Sequence, residues 1–289
     1  MLDNFLQILA AGLGNGAIYA LVALGFGLVY SVSRYLNLLQ GEFVVIGGLV
    51  TIWLADIQKW PVLPAAVAAV AVTCLGGVLF QRLTLSPSRK LVPDVALMVT
   101  FGGVYVLRGI AMVLFGKDPQ SLPSFSGEAP VSVGNVAIST QTIWVVGTLA
   151  VTSGLLWALF KHTVTGKAML ACAENPNGAQ LVGIDLRTMA MRAYALAAAI
   201  GAIAGVVAAP LTSVSYDGGL SAALHGFIAA IFGGLGSYPG AVVGGLAVGL
   251  LEAVATGYIS SEFKDAVTFG ALLLLLLVRP QGIMGGAHR

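Results

Sequence analysis

Apolar residues along this chain gather into runs, each closed by a short cluster of polar, glycine or proline positions. A helix that crosses a hydrocarbon core needs about 20 such residues. Nine runs approach that length: Leu6 to Val32, Phe43 to Ile57, Val62 to Leu83, Val92 to Leu114, Thr142 to Phe160, Met191 to Val214, Leu220 to Leu235, Ala241 to Tyr258 and Ala266 to Val278. The first is too long, and the second and seventh are short. Irregular lengths of this kind predict an extra turn at the interface, or segments that enter the bilayer and break inside it. The expected architecture is all-α, a polytopic transmembrane helical bundle of about eight to ten membrane segments. Broken or short helices are expected near residues 37–43 and 220–240, within one transmembrane domain over residues 1–289.

Orientation follows from lysine and arginine in the connections, which favour the cytoplasmic side. If every run crosses, Arg34, Arg82, Arg89, Lys90, Lys161, Lys167, Arg187, Arg192, Arg279 and Arg289 share one side, and Lys59, Lys117 and Lys264 lie opposite. Arg108 falls inside the fourth run, near its outer end. The bias places the N-terminus outside and the C-terminus inside.

Composition agrees with the run lengths. Hydrophobic residues make up 58% of the chain and charged residues 9%, at a mean hydropathy of +0.94. A soluble domain carries about 25% charged residues, so no separate soluble domain is expected. The net charge of +2 and the lack of basic runs exclude nucleic acid as a partner. The 38 glycines fit close helix packing in lipid. Cys74 and Cys172 have no metal spacing and lie in different regions, so no structural disulfide is expected. Met1 to Leu6 carries Asp3 in place of a basic signal region and is expected to be retained.

Two connections stand out. The outer one, Phe115 to Gln141, holds Pro119, Pro123, Pro130, Ser121, Ser124 and Ser126, then Val131, Val133, Val136 and Ile138 in alternation, which predicts a small hairpin. It is either a docking surface for an extracytoplasmic partner or a plain surface loop. In the inner one, Lys161 to Ala190, Asn175 can cap a helix, Pro176 suits its first position and Gly183 suits its stop. A two-turn helix is predicted there, displaying Ala179, Leu181 and Val182 as an apolar patch that either meets a partner or rests on lipid headgroups.

Polar residues inside lipid usually face a cavity or a partner. Tyr30, Asn37, Gln40 and Glu42 surround the first break, with Gly41 permitting a sharp turn whose free backbone groups could hold solute or water; the alternative is an ordinary inner loop. His225 and Glu252 lie in the seventh and eighth runs, and the Glu252 carboxylate needs a partner or water. Gly233, Gly234, Gly236, Gly240, Gly244 and Gly245 bracket Pro239 and predict a tightly packed helical hairpin. Gln40-Gly41 and His225-Gly226 each precede an apolar segment, a hint of an internal repeat. The chain has no phosphate-binding loop of the Gly-x-x-x-x-Gly-Lys-Ser/Thr type, no metal-ligand pair and no nucleophile elbow, so no enzyme activity or metal is expected.

The stretch Ala171 to Gly183, with Glu174, Ala179 and Gly183 at the telling positions, resembles the Glu-Ala-Ala loop of ABC importer permeases. Gly16 to Gly25 followed by Leu28-Val29-Tyr30, Gly233 to Ala241, Gly244-Gly245, Gly249, Leu251-Glu252 and Val278 to Gly282 resemble the LivH-type branched-chain amino acid permeases, nearly end to end. Where that family usually shows Asn-Phe-Ala-His-Gly, this chain reads Asn37-Leu38-Leu39-Gln40-Gly41. A neutral amide there leaves no basis for proton-dependent work at that position.

The resemblance implies an alternating-access permease of the bacterial inner membrane, surrounded by lipid. Its implied partners are two ATP-binding cassette subunits, which would hold and hydrolyse ATP, a second related permease that Glu252 could face, and an extracytoplasmic solute-binding protein. Glu174, Asn175, Pro176, Ala179, Leu181, Val182 and Gly183 would couple to the ATPase. The implied cargo is branched-chain amino acids or related small solutes; relatives also carry urea, short amides or aromatic acids. A self-contained secondary transporter would need an intramembrane carboxylate pair, and a membrane enzyme clustered His, Asp or Glu; Glu252 is expected to be the one deep carboxylate.

Overall fold

Apolar runs without a free sheet edge can satisfy their backbone in lipid only as helices, and the computed structural model is built accordingly. It describes residues 2–85, 93–127, 129–133 and 136–285; Met1, Arg89, Lys90, Val92 and Arg289, used above, lie outside these. The elements are α1 (Leu2–Ser33), α2 (Gln40–Ile52), α3 (Val62–Phe80), α4 (Pro93–Phe115), β1 (Val131–Val133), β2 (Val136–Ile138), α5 (Thr140–His162), α6 (Val164–Glu174), α7 (Pro176–Leu181), α8 (Leu186–Ala208), α9 (Gly219–Gly233), α10 (Tyr238–Tyr258) and α11 (Lys264–Val278). Single π-helical turns, Trp53–Ile57 and Gln81–Leu85, extend α2 and α3.

Seven helices, counting α2 and α3 with their π turns, are long and apolar enough to cross a membrane. Two of the nine apolar runs therefore fall short of a full span, since α9 and α11 have 15 residues each. The sixth run is misplaced most: α8 begins five residues before Met191, where the Asp185 carboxylate accepts from the Arg187 and Thr188 backbone N–H groups, and ends at Ala208. Arg187 and Arg192 disguised its start. Residues 209–214 are not helical; Pro210, followed by Thr212 and Ser213, marks a stop that run length alone passes over.

The interior is formed by α1, α2 and α8, while α3, α4 and α5 turn large apolar side chains outward. Glycine contacts disclose the repeat that the sequence hinted at. Gly245 of α10 lies against Ala20 of α1, and Gly77 of α3 against Ala198 of α8. Gly47 of α2 meets Ala202 of α8, and Gly226 of α9 meets Val22 of α1. Each long helix, α1 or α8, is followed by a non-helical break and a short helix that packs on the other long helix. The two short helices touch where Gly41 faces Gly219 and Ala223. This is the pattern of an inverted repeat built on broken helices.

The predicted hairpin is present, with Val131 opposite Ile138 and Val133 opposite Val136. Its loop is tied to the break before α9: Gln120 and Val214 exchange backbone hydrogen bonds of 3.0 and 2.7 Å, and the Leu122 N–H donates to the Ala209 carbonyl at 3.2 Å. The hairpin and α7 belong to opposite ends of the bundle.

Candidate functional site

At the α7 end, local sequence dictates local structure closely. Asn175 accepts from the Gly178 N–H at 2.9 Å, Pro176 occupies the first turn, and Gly183 takes a φ of +85° to end the helix. The Gly183 and Ile184 N–H groups then bond to the Gln180 and Ala179 carbonyls, each at 3.0 Å. Leu181 and Val182 are 88% and 76% exposed. Ala179 is not part of that patch: it is buried and packs into the hydrophobic core of the bundle. Behind α7, Glu174 ends α6 and lines a cavity of about 440 Å³ with Tyr30, Arg34, Tyr238 and Gln281. The Arg34 guanidinium donates to the Ala173 carbonyl, tying the end of α1 to the end of α6. The neighbouring Asp185 carboxyl is held below its usual range by the Thr188 hydroxyl and the Arg187 N–H. Its stabilising effect is complete above the ordinary carboxylate range and is lost only as pH falls through the lowered value.

The break before α2 does not form a loop at the surface. Asn37, Gln40, Gly41 and Glu42 are all buried. Asn37 Oδ1 accepts from the Leu39 N–H at 3.2 Å, and Gln40 Nε2 donates to the Ala197 carbonyl, midway along α8, at 3.1 Å. Glu42, 1% exposed, accepts from Arg108 Nε of α4 at 2.9 Å. The chain thus holds a second deep carboxylate besides Glu252, which corrects the expectation of one, but Glu42 carries its own cation and the two carboxylates do not pair. Asn37 Nδ2, Gln40 Oε1, Glu42 Oε2 and Arg108 Nη2 are buried without partners at this one locus. Unsatisfied polar atoms normally cluster where water or solute belongs. Arg108, read above only for orientation, carried the missed signal: an arginine inside an apolar run requires a counter-charge.

His225 and Glu252, far apart in sequence, are brought together. Glu252 Oε1 lies 3.0 Å from Lys264 Nζ and 3.8 Å from His225 Nε2, which is 3.4 Å from Asp265 Oδ1. Tyr19 stacks on the imidazole at 4.9 Å. The partner of Glu252 is therefore supplied by the start of α11, not left for another subunit. Sequence reading missed Lys264 and Asp265 because they sit at a run boundary, where charge is ordinary.

The predicted glycine hairpin joins α9 to α10. Ser237 accepts from the Gly240 N–H at 3.2 Å, with Pro239 in the first turn. Gly233, Gly240 and Gly244 bring the two backbones together, while Gly245 packs on α1. Gly234, with φ +108°, touches residues 281 and 285 of the tail, whose Ile283 and Met284 N–H groups each donate at 2.9 Å to the Phe232 and Gly233 carbonyls. Gly236 differs: only Ser31 and Tyr30 come near, at 3.5 and 4.0 Å, and its φ of +86° is what requires glycine.

Seven apolar helices of membrane-crossing length, with short helices after breaks between them, define a polytopic membrane protein. Over residues 8–277 the chain matches the family described as "Branched-chain amino acid transport system / permease component", and it belongs to that family. It is 33% identical to the high-affinity branched-chain amino acid transport system permease protein LivH of Escherichia coli, covering 97% of this chain and 96% of that one. It is 32% identical to the corresponding permease BraD of Pseudomonas aeruginosa, covering 98% and 96%. A probable LivH of Methanocaldococcus jannaschii is 27% identical, covering 96% and 92%.

Proposed function

We propose that this permease is the membrane-spanning subunit of a binding-protein-dependent ABC importer that moves branched-chain amino acids. It works with two ATP-binding subunits, a second related permease and an extracytoplasmic binding protein. The observation that carries the reading is α7, a capped and stopped helix that presents Leu181 and Val182 to the outside of the bundle. Exposing two large apolar side chains on so short a helix favours a protein partner. Arg34 gives a motion of α6 and α7 a route to the α1–α2 break.

The end bearing Arg34, Lys161, Lys167, Arg187, Arg192 and Arg279 faces the cytoplasm of a bacterial inner membrane, by the positive-inside rule. The N-terminus is then outside, and the hairpin loop, joined to the break before α9, is where a binding protein would act. Tyr30, Asn37, Gln40, Gly41, Glu42, His225 and Glu252 are the proposed path residues: Tyr30 lines the inner cavity, Asn37 to Glu42 surround the break before α2, and His225 lies beside Glu252. The cargo follows from the names of the relatives; urea, short amides and aromatic acids are its alternatives.

Replacing Leu181 and Val182 together by Asp tests the coupling. The assembled complex is expected to lose binding-protein-stimulated ATP hydrolysis and leucine uptake in proteoliposomes, with the permease still folded. Unchanged stimulation would remove α7 from coupling. Uptake by the chain alone, without ATP, would overturn the importer reading.

A further inference from the structure

We propose that His225, Glu252 and Asp265 form a binding site for a divalent transition cation, Zn²⁺ in first place. Three helices, α9, α10 and α11, each contribute one ligand atom, and the three atoms lie within 4.8 Å of one another. Tetrahedral zinc with bonds of about 2.0–2.2 Å sets its ligands about 3.3–3.5 Å apart. The edge from His225 Nε2 to Asp265 Oδ1 is 3.4 Å and the edge to Glu252 Oε1 is 3.8 Å. The third edge, between the two carboxylates, is within 4.8 Å, so the carboxylates must draw together by up to about 1.5 Å to close the triangle on a metal.

The imidazole is already set for that task. His225 Nδ1 lies 2.8 Å from the Ser221 carbonyl, which can only accept, so Nδ1 carries the proton. That leaves Nε2 turned toward two carboxylates. A carbonyl behind a histidine is also the usual outer support of a metal ligand, because it fixes tautomer and ring direction. Tyr19 holds the ring plane from the other side.

A second observation points the same way. Glu252 is 3% exposed, and its Oε2 is buried with no hydrogen-bond partner. Lys264 satisfies Oε1 alone. A carboxylate so placed favours a cation that can take both oxygens or draw the second into the site. Lys264 is the built-in competitor: its side chain is 39% exposed, so it can leave Glu252 when a divalent ion arrives, and the 55% exposed Asp265 offers the entry. A bound ion would fasten the short helix α9 to the α10–α11 hairpin.

The test uses the assembled transporter in nanodiscs, purified without a polyhistidine tag. Co²⁺ is titrated by its visible tetrahedral absorption and then displaced by Zn²⁺. One saturable site per copy of this chain is expected, abolished in His225→Gln and Asp265→Asn and retained in His225→Cys, which keeps a ligand. Lys264→Gln should bind about tenfold tighter or more, since a neighbouring positive charge is removed. Size-exclusion profiles and co-purification of the ATP-binding subunits show that each variant is assembled. Absence of saturable binding, binding unchanged in His225→Gln, or weaker binding in Lys264→Gln would overturn the proposal.

Discussion

The short helices α2 and α9 occupy equivalent places in the two halves of the repeat, and each lies beside a buried carboxylate paired with a peripheral helix, Glu42 with Arg108 of α4 and Glu252 with Lys264 of α11. Their anchors differ in burial. Glu42 is enclosed at 1% exposed and its partner Arg108 is 18% exposed, with one hydrogen bond between them and unpaired atoms on both sides. The group at α9 combines a buried Glu252 with Lys264 and Asp265 at its open edge. Equivalent positions in a repeat thus support unlike electrostatics: an enclosed pair cannot exchange partners, whereas an open cluster can trade lysine for another cation. If this contrast is right, α2 is a fixed strut and α9 the adjustable one.

The largest expected effect comes from breaking the enclosed pair. Arg108→Leu leaves Glu42 charged and unpaired inside the bundle, which costs about 3–5 kcal/mol for a buried pair that loses one member. Thermal unfolding of the purified protein should show it. The double variant Glu42→Gln with Arg108→Leu should recover much of the loss, because no bare charge remains. Equal destabilisation by the single and double variants would mean that Arg108 matters through packing alone.

An intermediate effect is expected at the α9 anchor. Glu252→Gln keeps the shape and removes the charge that Lys264 meets at 3.0 Å, at a cost of about 1.5–3 kcal/mol for a hydrogen bond to a charged group. The cation left behind here, Lys264, has a side chain 39% exposed, whereas the Glu42 that Arg108→Leu leaves behind is 1% exposed. A loss as large as that of Arg108→Leu would erase the distinction between the two anchors.

The sequence made the helices legible and the contrast between them illegible, for physical reasons. Run length located the α3, α4 and α5 spans within a few residues, because lipid demands the same apolar length of every crossing helix. Asn175, Pro176 and Gly183 located α7, since capping and left-handed stops are local chemistry. Residues 209–214 were read as helix because run length passed over Pro210 and the exposed Thr212 and Ser213, although a proline there stops α8 at Ala208. Partners of Glu42 and Glu252 were invisible because ion pairing across 66 residues, or between adjacent helix ends, follows tertiary arrangement. Burial of Gln40 and Gly41 against Ala197 and Gly219 belongs to the same kind of information.

The smallest effect is expected at Asp265, and it separates the two anchors most cleanly. Asp265→Asn removes a carboxylate that is mostly exposed and 3.4 Å from His225 Nε2, so stability should change by no more than about 1 kcal/mol, as for surface ion pairs. Raising the ionic strength should shrink even that, because exposed charges are screened within about 10 Å at 0.1 M salt. The enclosed Glu42–Arg108 pair should be insensitive to the same change. A denaturation series of the wild type, Asp265→Asn and Arg108→Leu at low and high salt therefore tests the contrast directly. Salt should narrow the gap between the wild type and Asp265→Asn and leave the gap to Arg108→Leu in place. Closure of both gaps would show that water reaches the Glu42 locus, and α2 would then be as adjustable as α9.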